Sequence, residues 1–166
     1  MALPPARSTD RYRIAMVCLG NICRSPMAHV VLADRIAAAG LGDPRRVEVV
    51  SCGTGDWHVG DPMDPRAAST LRDAGYDPSS HRARHFDDGW LAECDVLFAM
   101  DEQNLADIGG RSDRVMLFRD LDPTEPGGIV PDPYYGGEDG FTEVLAMVER
   151  TSDAIVAALP AALGRD

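Results

Sequence analysis

Apolar runs alternate with amphipathic segments along most of the chain. Four short runs predict buried strands, namely Tyr12–Val17, Val47–Ser51, Asp95–Met100 and Arg114–Phe118. Four segments with apolar residues at helical spacing predict helices, namely Pro26–Ala39, Asp64–Ala74, Glu102–Ile108 and Phe141–Leu159. Alternating strands and helices are typical of parallel sheets, because each parallel connection needs a crossover. The pattern therefore predicts a single-domain α/β fold, with one open parallel four-stranded sheet and helices on both faces.

The loop after the first predicted strand stands out from the rest of the chain. It consists of Cys18, Leu19, Gly20, Asn21, Ile22, Cys23 and Arg24. Ser25 and Pro26 then predict a helix start, with Ser25 as the N-cap and Pro26 at the first helical position. Inward-pointing backbone N–H groups and the positive end of the helix dipole would make this loop an anion site. Such a loop lies at the carboxyl edge of the sheet, where ligands bind.

Two side chains bracket this phosphate-binding loop and supply its chemistry. The planar guanidinium of Arg24 matches two phosphate oxygens. Cys18, at the floor of the same positive field, can attack as a thiolate. The pair predicts transfer of a phosphoryl group to sulfur.

A second motif lies in a long Pro/Gly-rich segment, Asp120–Gly140, for which no regular structure is predicted. A loop of this length inside a compact domain is either functional or wrongly assigned. It contains Asp132, whose carboxylic acid could protonate the departing oxygen of a phosphate ester. The alternative is that Asp132-Pro133 only initiates a turn, since Asp-Pro also occurs at Asp43, Asp61, Asp64, Asp77 and Asp122.

The two motifs together resemble the bacterial type of low-molecular-weight protein tyrosine phosphatase. The resemblance rests on Cys18-x₅-Arg24-Ser25 and on the distant Asp132-Pro133-Tyr134-Tyr135-Gly136, and it extends from about Tyr12 to Leu159. It implies hydrolysis of phosphotyrosine through a phosphocysteine, without a cofactor. Cys18 would be the nucleophile, Arg24 would bind phosphate, and Asp132 would act first as general acid and then as base.

The resemblance also implies a supporting network around the loop. Asn21 would hold the loop in its strained form, which is compatible with the tolerance of asparagine for left-handed backbone. The Ser25 hydroxyl would donate to the thiolate, and His81 would link to Asn21 and Ser25, although a surface histidine is the alternative. Asp101 would orient Arg24 and is the rival candidate for the general acid.

A phosphate on a flat ring needs a slot with aromatic sides. Ile22, Trp57, Tyr134 and Tyr135 are expected to form its walls. Tyr134 and Tyr135 are also candidate targets of a tyrosine kinase, which would then be a partner. Trp90 is expected in the core, and the other histidines are expected to be surface or packing residues, namely His29, His58 and His85.

The four cysteines predict a reducing compartment, and no zinc site is expected because neither Cys52 nor Cys94 has a nearby Cys or His at ligand spacing. Cys52 and Cys94 are expected to be buried structural thiols. Cys23 shares the loop with Cys18, and the resemblance implies a reversible Cys18–Cys23 disulfide. The alternative is that Cys23 is a small loop residue pointing into the core.

The 166 residues predict one domain over residues 11–160, after a disordered tail over residues 1–10. The net charge of −11 argues against nucleic acid as a partner. No apolar run is long enough to insert in a membrane, and no secretory signal is recognised. We therefore expect a cytoplasmic monomer that acts on tyrosine-phosphorylated proteins, with export by a signal-independent route left open.

Three other functions compete with this interpretation. A protein-arginine phosphatase would carry threonine in place of Ile22 and a reduced tyrosine pair. A thioredoxin-coupled arsenate reductase would need a relay pair of cysteines, whereas Cys52 and Cys94 are isolated. A non-enzymatic phosphotyrosine-binding module would be expected to lack Cys18 or Asp132.

Overall fold

The structure is a computed structural model that describes residues 2–41, 46–134 and 136–164. Its sheet consists of β1 (Tyr12–Cys18), β2 (Val47–Gly53), β3 (Val96–Ala99) and β4 (Val115–Leu117). The strands lie in the order β2-β1-β3-β4, and every pair is parallel. The predicted open parallel four-stranded sheet is therefore confirmed, and β1 at its centre ends at Cys18.

The helices are α1 (Arg24–Ala38), α2 (Pro65–Asp73), α3 (Gly89–Glu93), α4 (Glu102–Asp107) and α5 (Glu138–Ala162), with a 3₁₀ turn at Phe118–Leu121. Side chains of β1 alternate between two apolar clusters, one on each face of the sheet. Helices α1, α2 and α5 cover one face, whereas α3 and α4 cover the other. Helix α3 was not predicted, because a single turn has too few residues to show a period.

The start of α1 corrects the prediction for Ser25. The helix begins at Arg24, and Cys23 occupies the N-cap position without a capping side-chain hydrogen bond. Ser25 lies inside the first turn, where its hydroxyl is directed at Cys18 instead of a helix N–H. Pro26 lies in the same turn, where its missing N–H leaves no hydrogen bond unmade.

The N-terminal segment packs on the domain. The Tyr12 hydroxyl donates to the Pro4 carbonyl at 2.8 Å, and the Ala6 N–H donates to the Ala162 carbonyl at 3.1 Å. The structure thus differs from the disordered tail expected for residues 1–10. The physical reason is that the Tyr12 phenol is buried, and the backbone of the tail provides its acceptor.

Cys52 and Cys94 are fully buried, as predicted, and burial raises the pKa of Cys94 to about 12. Trp90 is only half-buried and packs against the smaller apolar cluster, so its expected place in the core is corrected. Within the described ranges, no group of three or more His, Cys, Asp or Glu side chains could hold a metal ion. No described helix is both long and apolar enough to cross a bilayer.

Candidate active site

The phosphate-binding loop runs from the end of the central strand to the start of α1. Asn21 has a φ of 57°, the one positive value among the described non-glycine residues, which turns the chain back toward the helix. The end of β2 approaches the loop closely, because a Cβ atom on Gly53 would lie 2.7 Å from the Leu19 carbonyl oxygen. The N–H of Thr54 donates to the Cys18 carbonyl at 2.9 Å. Strand β2 therefore holds the loop from outside.

Cys18 is 2% exposed and receives polar contacts on its sulfur. The Asn21 N–H donates to Cys18 Sγ at 3.3 Å, and Ser25 Oγ lies 2.9 Å from the same atom. The Asn21 side-chain amide donates to Ser25 Oγ at 2.8 Å. Since Ser25 accepts from Asn21, its own proton is available to Cys18. The sulfur therefore faces one backbone donor and one hydroxyl that can also donate.

Asn21 connects the loop to the segment after α2. Its Oδ1 accepts the Arg84 N–H at 2.9 Å, and His81 Nε2 lies 2.7 Å from its carbonyl oxygen. Burial lowers the pKa of His81 despite this contact, which indicates a neutral ring that donates from Nε2. His81 reaches Asn21 as predicted, whereas it contacts Ser25 only through Asn21.

Arg24 is 3% exposed, and two acceptors bind the same guanidinium nitrogen, Nη1. Nη1 donates to Asp101 at 2.6 Å and to the Val130 carbonyl at 3.1 Å. Asp101 is itself fixed, because its other oxygen caps α4 by accepting the Asn104 N–H at 2.8 Å. Burial opposes the charge of Arg24, but the negative charges of Cys18, Asp101 and Asp132 outweigh it and raise the pKa. The predicted neighbours Asp101 and Arg24 are therefore brought together, and Val130 is a partner that the sequence did not indicate.

Asp132 lies in the irregular segment 122–134, across the cavity from the loop. Its Oδ2 is 3.6 Å from Arg24 Nη2, and its Oδ1 accepts the Tyr134 N–H at 3.0 Å. The backbone of Val130 precedes it and donates to the Met100 carbonyl at 2.7 Å. The side chain is about one-third exposed, so it is open to the mouth of the site.

A cavity of about 250 Å³ lies between the loop and Asp132. Its lining consists of Cys18, Leu19, Gly20, Ile22, Cys23, Arg24, Trp57, His58, Asp132 and Tyr134. Trp57 is 70% exposed and Tyr134 is 40% exposed, so these rings form the rim and not the floor. Tyr135, the remaining predicted wall residue, lies outside the described residues.

Cys18 and Cys23 are free thiols, and burial raises the pKa of Cys23.

His58 is the site residue that sequence reasoning missed. Its ring packs over Gly20, where a Cβ atom would lie 3.2 Å from His58 Cδ2. His58 Nδ1 lies 3.2 Å from Asp61 Oδ2, which sets the ring orientation. The sequence offered one indication that His58 belongs to the site, because it directly follows Trp57 in a loop bounded by Gly55 and Gly60.

The site thus brings a cysteine thiol, an arginine and a carboxyl group around one cavity, and known proteins share both sequence and fold with this chain. A family model described as low molecular weight phosphotyrosine protein phosphatase matches residues 13–165. The low molecular weight protein-tyrosine-phosphatase of Streptomyces coelicolor is 46% identical over 156 residues, which cover 89% of this chain and 93% of that protein. Low molecular weight protein-tyrosine phosphatase A of Mycobacterium tuberculosis is 43% identical over 146 residues, with coverages of 85% and 87%.

A solved structure of a protein tyrosine phosphatase from Entamoeba histolytica, with Hepes in its active site, superimposes with a TM-score of 0.83. It is 30% identical, and the match covers 90% of this chain and 97% of that one. Sequence and fold agree over nearly the whole chain. The chain therefore belongs to the low molecular weight phosphotyrosine protein phosphatase family.

Proposed function

We propose that this protein is a tyrosine phosphatase that hydrolyses phosphotyrosine through a phosphocysteine. The observation that carries the proposal is that Cys18 and Asp132 line one cavity together with Arg24, whose Nη2 is 3.6 Å from Asp132 Oδ2. Nucleophilic attack on phosphorus and protonation of the opposite oxygen require this arrangement.

In the first step, Cys18 attacks phosphorus in line with the ester oxygen. Arg24 and the loop N–H groups hold the equatorial oxygens, where charge accumulates in the transition state. Asp132 donates its proton to the phenolic oxygen as the phosphorus–oxygen bond breaks. The products are a free tyrosine side chain and phosphocysteine.

In the second step, water attacks the phosphocysteine and Asp132, now a carboxylate, accepts its proton. The bond between phosphorus and sulfur breaks, and the electron pair returns to Cys18. The Ser25 hydroxyl, 2.9 Å from the sulfur, donates a hydrogen bond to the departing thiolate. Inorganic phosphate then leaves the cradle.

The rim supports phosphotyrosine as the substrate class. Trp57 and Tyr134 provide flat apolar faces, and the buried Ile22 lines the same cavity. A phosphoserine is too short to place its phosphorus at Cys18 without burying peptide backbone. We infer that the protein is a cytoplasmic monomer and that its partners are tyrosine-phosphorylated proteins. We also infer that a tyrosine kinase can phosphorylate Tyr134 or Tyr135.

The test uses three peptides of one sequence that differ only in a central phosphotyrosine, phosphoserine or phosphoarginine. We expect a kcat/KM for phosphotyrosine at least roughly 100-fold above the others, because only that ring fills the slot. The Cys18→Ser variant should release no phosphate, yet still bind inorganic phosphate. Comparable turnover of phosphoarginine would assign the protein to the arginine phosphatases, and an active Cys18→Ser variant would move the nucleophile elsewhere.

A further inference from the structure

We propose that Arg66 is a positioning residue for the general acid, because it holds the segment that carries Asp132 against α2. The proposal rests on the proposed function, in which Asp132 donates the proton to the leaving group. Arg66 lies at the start of α2, does not line the catalytic cavity, and contacts Asp132 only through other residues.

The Arg66 guanidinium lies beside two aromatic rings. Its Cζ is 4.8 Å from the centre of the Phe141 ring and 5.3 Å from the centre of the Tyr134 ring. Both distances are within the range of attractive cation–π contacts, and a planar guanidinium stacks well on such faces. Phe141 is 1% exposed in the first turn of α5, so its ring has little freedom to move. Arg66 therefore ties Tyr134 to a rigid part of the core.

Asp64 orients the guanidinium from the other side. Its two carboxylate oxygens lie 3.2 Å from Arg66 Nε and 3.1 Å from Arg66 Nη2, a two-point contact. Asp64 is 7% exposed, and it also caps α2 by accepting the backbone N–H of Arg66. Although burial opposes its ionisation, its hydrogen bonds with Arg66 hold the pKa of Asp64 below its ordinary value. Asp64 is a fixed anion at this position.

The same Asp64 contacts the phosphate-binding loop. Its backbone N–H donates to the Ile22 carbonyl at 2.9 Å. The Arg66 guanidinium is therefore held at a fixed position relative to the phosphate-binding loop. The contact uses the Asp64 backbone, so removal of the Arg66 side chain leaves it in place.

Tyr134 connects the Arg66 guanidinium to Asp132, the proposed general acid. Its N–H donates to Asp132 Oδ1 at 3.0 Å, which fixes the rotation of the carboxyl group. On the other side of Asp132, Val130 is held by the Met100 carbonyl and by Arg24. The acid therefore lies between a backbone anchor at Val130 and the stack of Tyr134 on Arg66. Loss of that stack would loosen the acid while leaving the nucleophile and cradle intact.

The test compares kcat/KM for 2,4-dinitrophenyl, 4-nitrophenyl and phenyl phosphate, because kcat/KM reports the step in which the leaving group departs. In Arg66→Ala we expect about a 10-fold loss for phenyl phosphate, a poor leaving group that needs the proton. The loss for 2,4-dinitrophenyl phosphate should stay within about twofold, since that group departs unprotonated. Arg66→Lys keeps the cation but not the flat fork, so its loss should be intermediate.

Two comparisons separate positioning from a general structural effect. Arg72→Ala removes an exposed arginine from the same helix and should leave all three substrates within about twofold of wild type. In an Asp132→Asn background, Arg66→Ala should change kcat/KM by less than about twofold, because the group it positions is already disabled. Far-UV circular dichroism and urea unfolding establish that the variants are folded, and Arg66→Gln replaces Arg66→Ala if the latter is not.

An equal loss for all leaving groups would overturn the proposal and show that Arg66 supports the cradle or the fold. No loss in Arg66→Ala, or the same loss with and without Asp132, would also overturn it. Failure of the proposed function has a different signature. In that case Asp132→Asn alone would lose activity equally on all three substrates, or Cys18→Ser would remain active.

Discussion

At the residue scale, the Ser25 hydroxyl is the smallest group with a defined task. It accepts from the Asn21 side chain at 2.8 Å, which leaves its single proton for Cys18 Sγ at 2.9 Å or for the more distant Cys52 carbonyl at 3.5 Å. A hydroxyl in a helix N-cap could not do this, because its oxygen would face backbone N–H groups. The position of Ser25 in the first turn of α1, beyond the N-cap, therefore allows its hydroxyl to face the sulfur.

A redox experiment can test the role of Cys23, although Cys23 takes no part in the proposed reaction. Burial raises its pKa, so Cys23 is a protonated thiol, whereas Cys18 is the proposed nucleophile. Peroxide should oxidise Cys18 to a sulfenic acid, and the Cys23 thiol should then displace water to form a disulfide. We expect peroxide-inactivated wild type to recover activity with dithiothreitol, whereas Cys23→Ser should recover less than about a tenth of it.

Cys52→Ser is the matched control, since Cys52 is another buried thiol on the neighbouring strand. It should recover like the wild type, and peptide mapping without reductant should show Cys18 joined to Cys23. Equal recovery by Cys23→Ser, or a link from Cys18 to Cys52, would make Cys23 an ordinary loop residue.

At the scale of elements, α1 connects the site to the sheet. Its first residue is Arg24, and one turn later His29 turns toward β2, where its Nδ1 lies 3.3 Å from Ser51 Oγ. Burial, together with the nearby His81 and the positive charge of Arg84, lowers the pKa of His29 to about 4. The packing of α1 on the sheet therefore requires a neutral imidazole at His29.

This requirement makes the stability of the fold depend on pH. Between pH 6.5 and about 4, unfolded chains carry a proton on His29 that the folded protein excludes. The free energy of unfolding should therefore be highest above pH 6.5 and fall, by up to roughly 3 kcal/mol from this group, as the pH decreases to about 4.

Urea unfolding between pH 4 and 7.5 measures this dependence. We expect a flatter pH profile for His29→Asn than for wild type, and an unchanged profile for the control His85→Asn, whose side chain is exposed. A His29→Asn variant with the wild-type slope would show that other groups set the acid sensitivity.

At the scale of the whole molecule, the phosphate-binding loop belongs to a strongly negative protein. The chain carries a net charge of −11, while its substrate is itself a phosphate ester. Attraction to the cradle acts at contact distance, whereas the global field acts over about a Debye length, which is ~8 Å at physiological ionic strength. The global field should therefore influence how fast substrates arrive, more than how they react.

Two phosphotyrosine peptides, one with lysine and one with glutamate on both flanks, test this separation. With increasing sodium chloride, kcat/KM should fall for the lysine peptide and rise for the glutamate peptide, by about 10-fold or more at the low-salt extremes. Phenyl phosphate, which has no flanks, serves as the reference. If both peptides respond to salt in the same way, the surface field has no influence on substrate capture.

The fold followed from the sequence because its strands are short apolar runs separated by amphipathic helices. The first strand was predicted at Tyr12–Val17 and is observed at Tyr12–Cys18, and the order of strands and helices required a parallel sheet. Helix α3 was missed because Gly89–Glu93 is one turn long and none of its residues is buried. Local patterns cannot report a turn that tertiary contacts hold in place.

The candidate site was predictable where its residues share one loop or one motif. Cys18 and Arg24 are six residues apart, and Asp132 begins a recognisable run, so the three could be assigned from the sequence. The contacts of Val130 and Arg66 could not, because they join segments that only the folded sheet edge brings together. The contact of the Ser25 hydroxyl with Cys18 was expected from the family resemblance, whereas the local pattern alone assigned Ser25 to the N-cap, because the pattern does not show that the helix begins at Arg24.

The hydrogen bond from Arg24 to the Val130 carbonyl joins residues 106 positions apart. During synthesis, the cradle and its nucleophile leave the ribosome long before the acid that completes them. Contacts of such separation form late in folding, because a long loop must close first. The two sides of the site are therefore assembled one after the other, and the proposed proton transfer from Asp132 becomes possible only after the later segment has docked on Arg24.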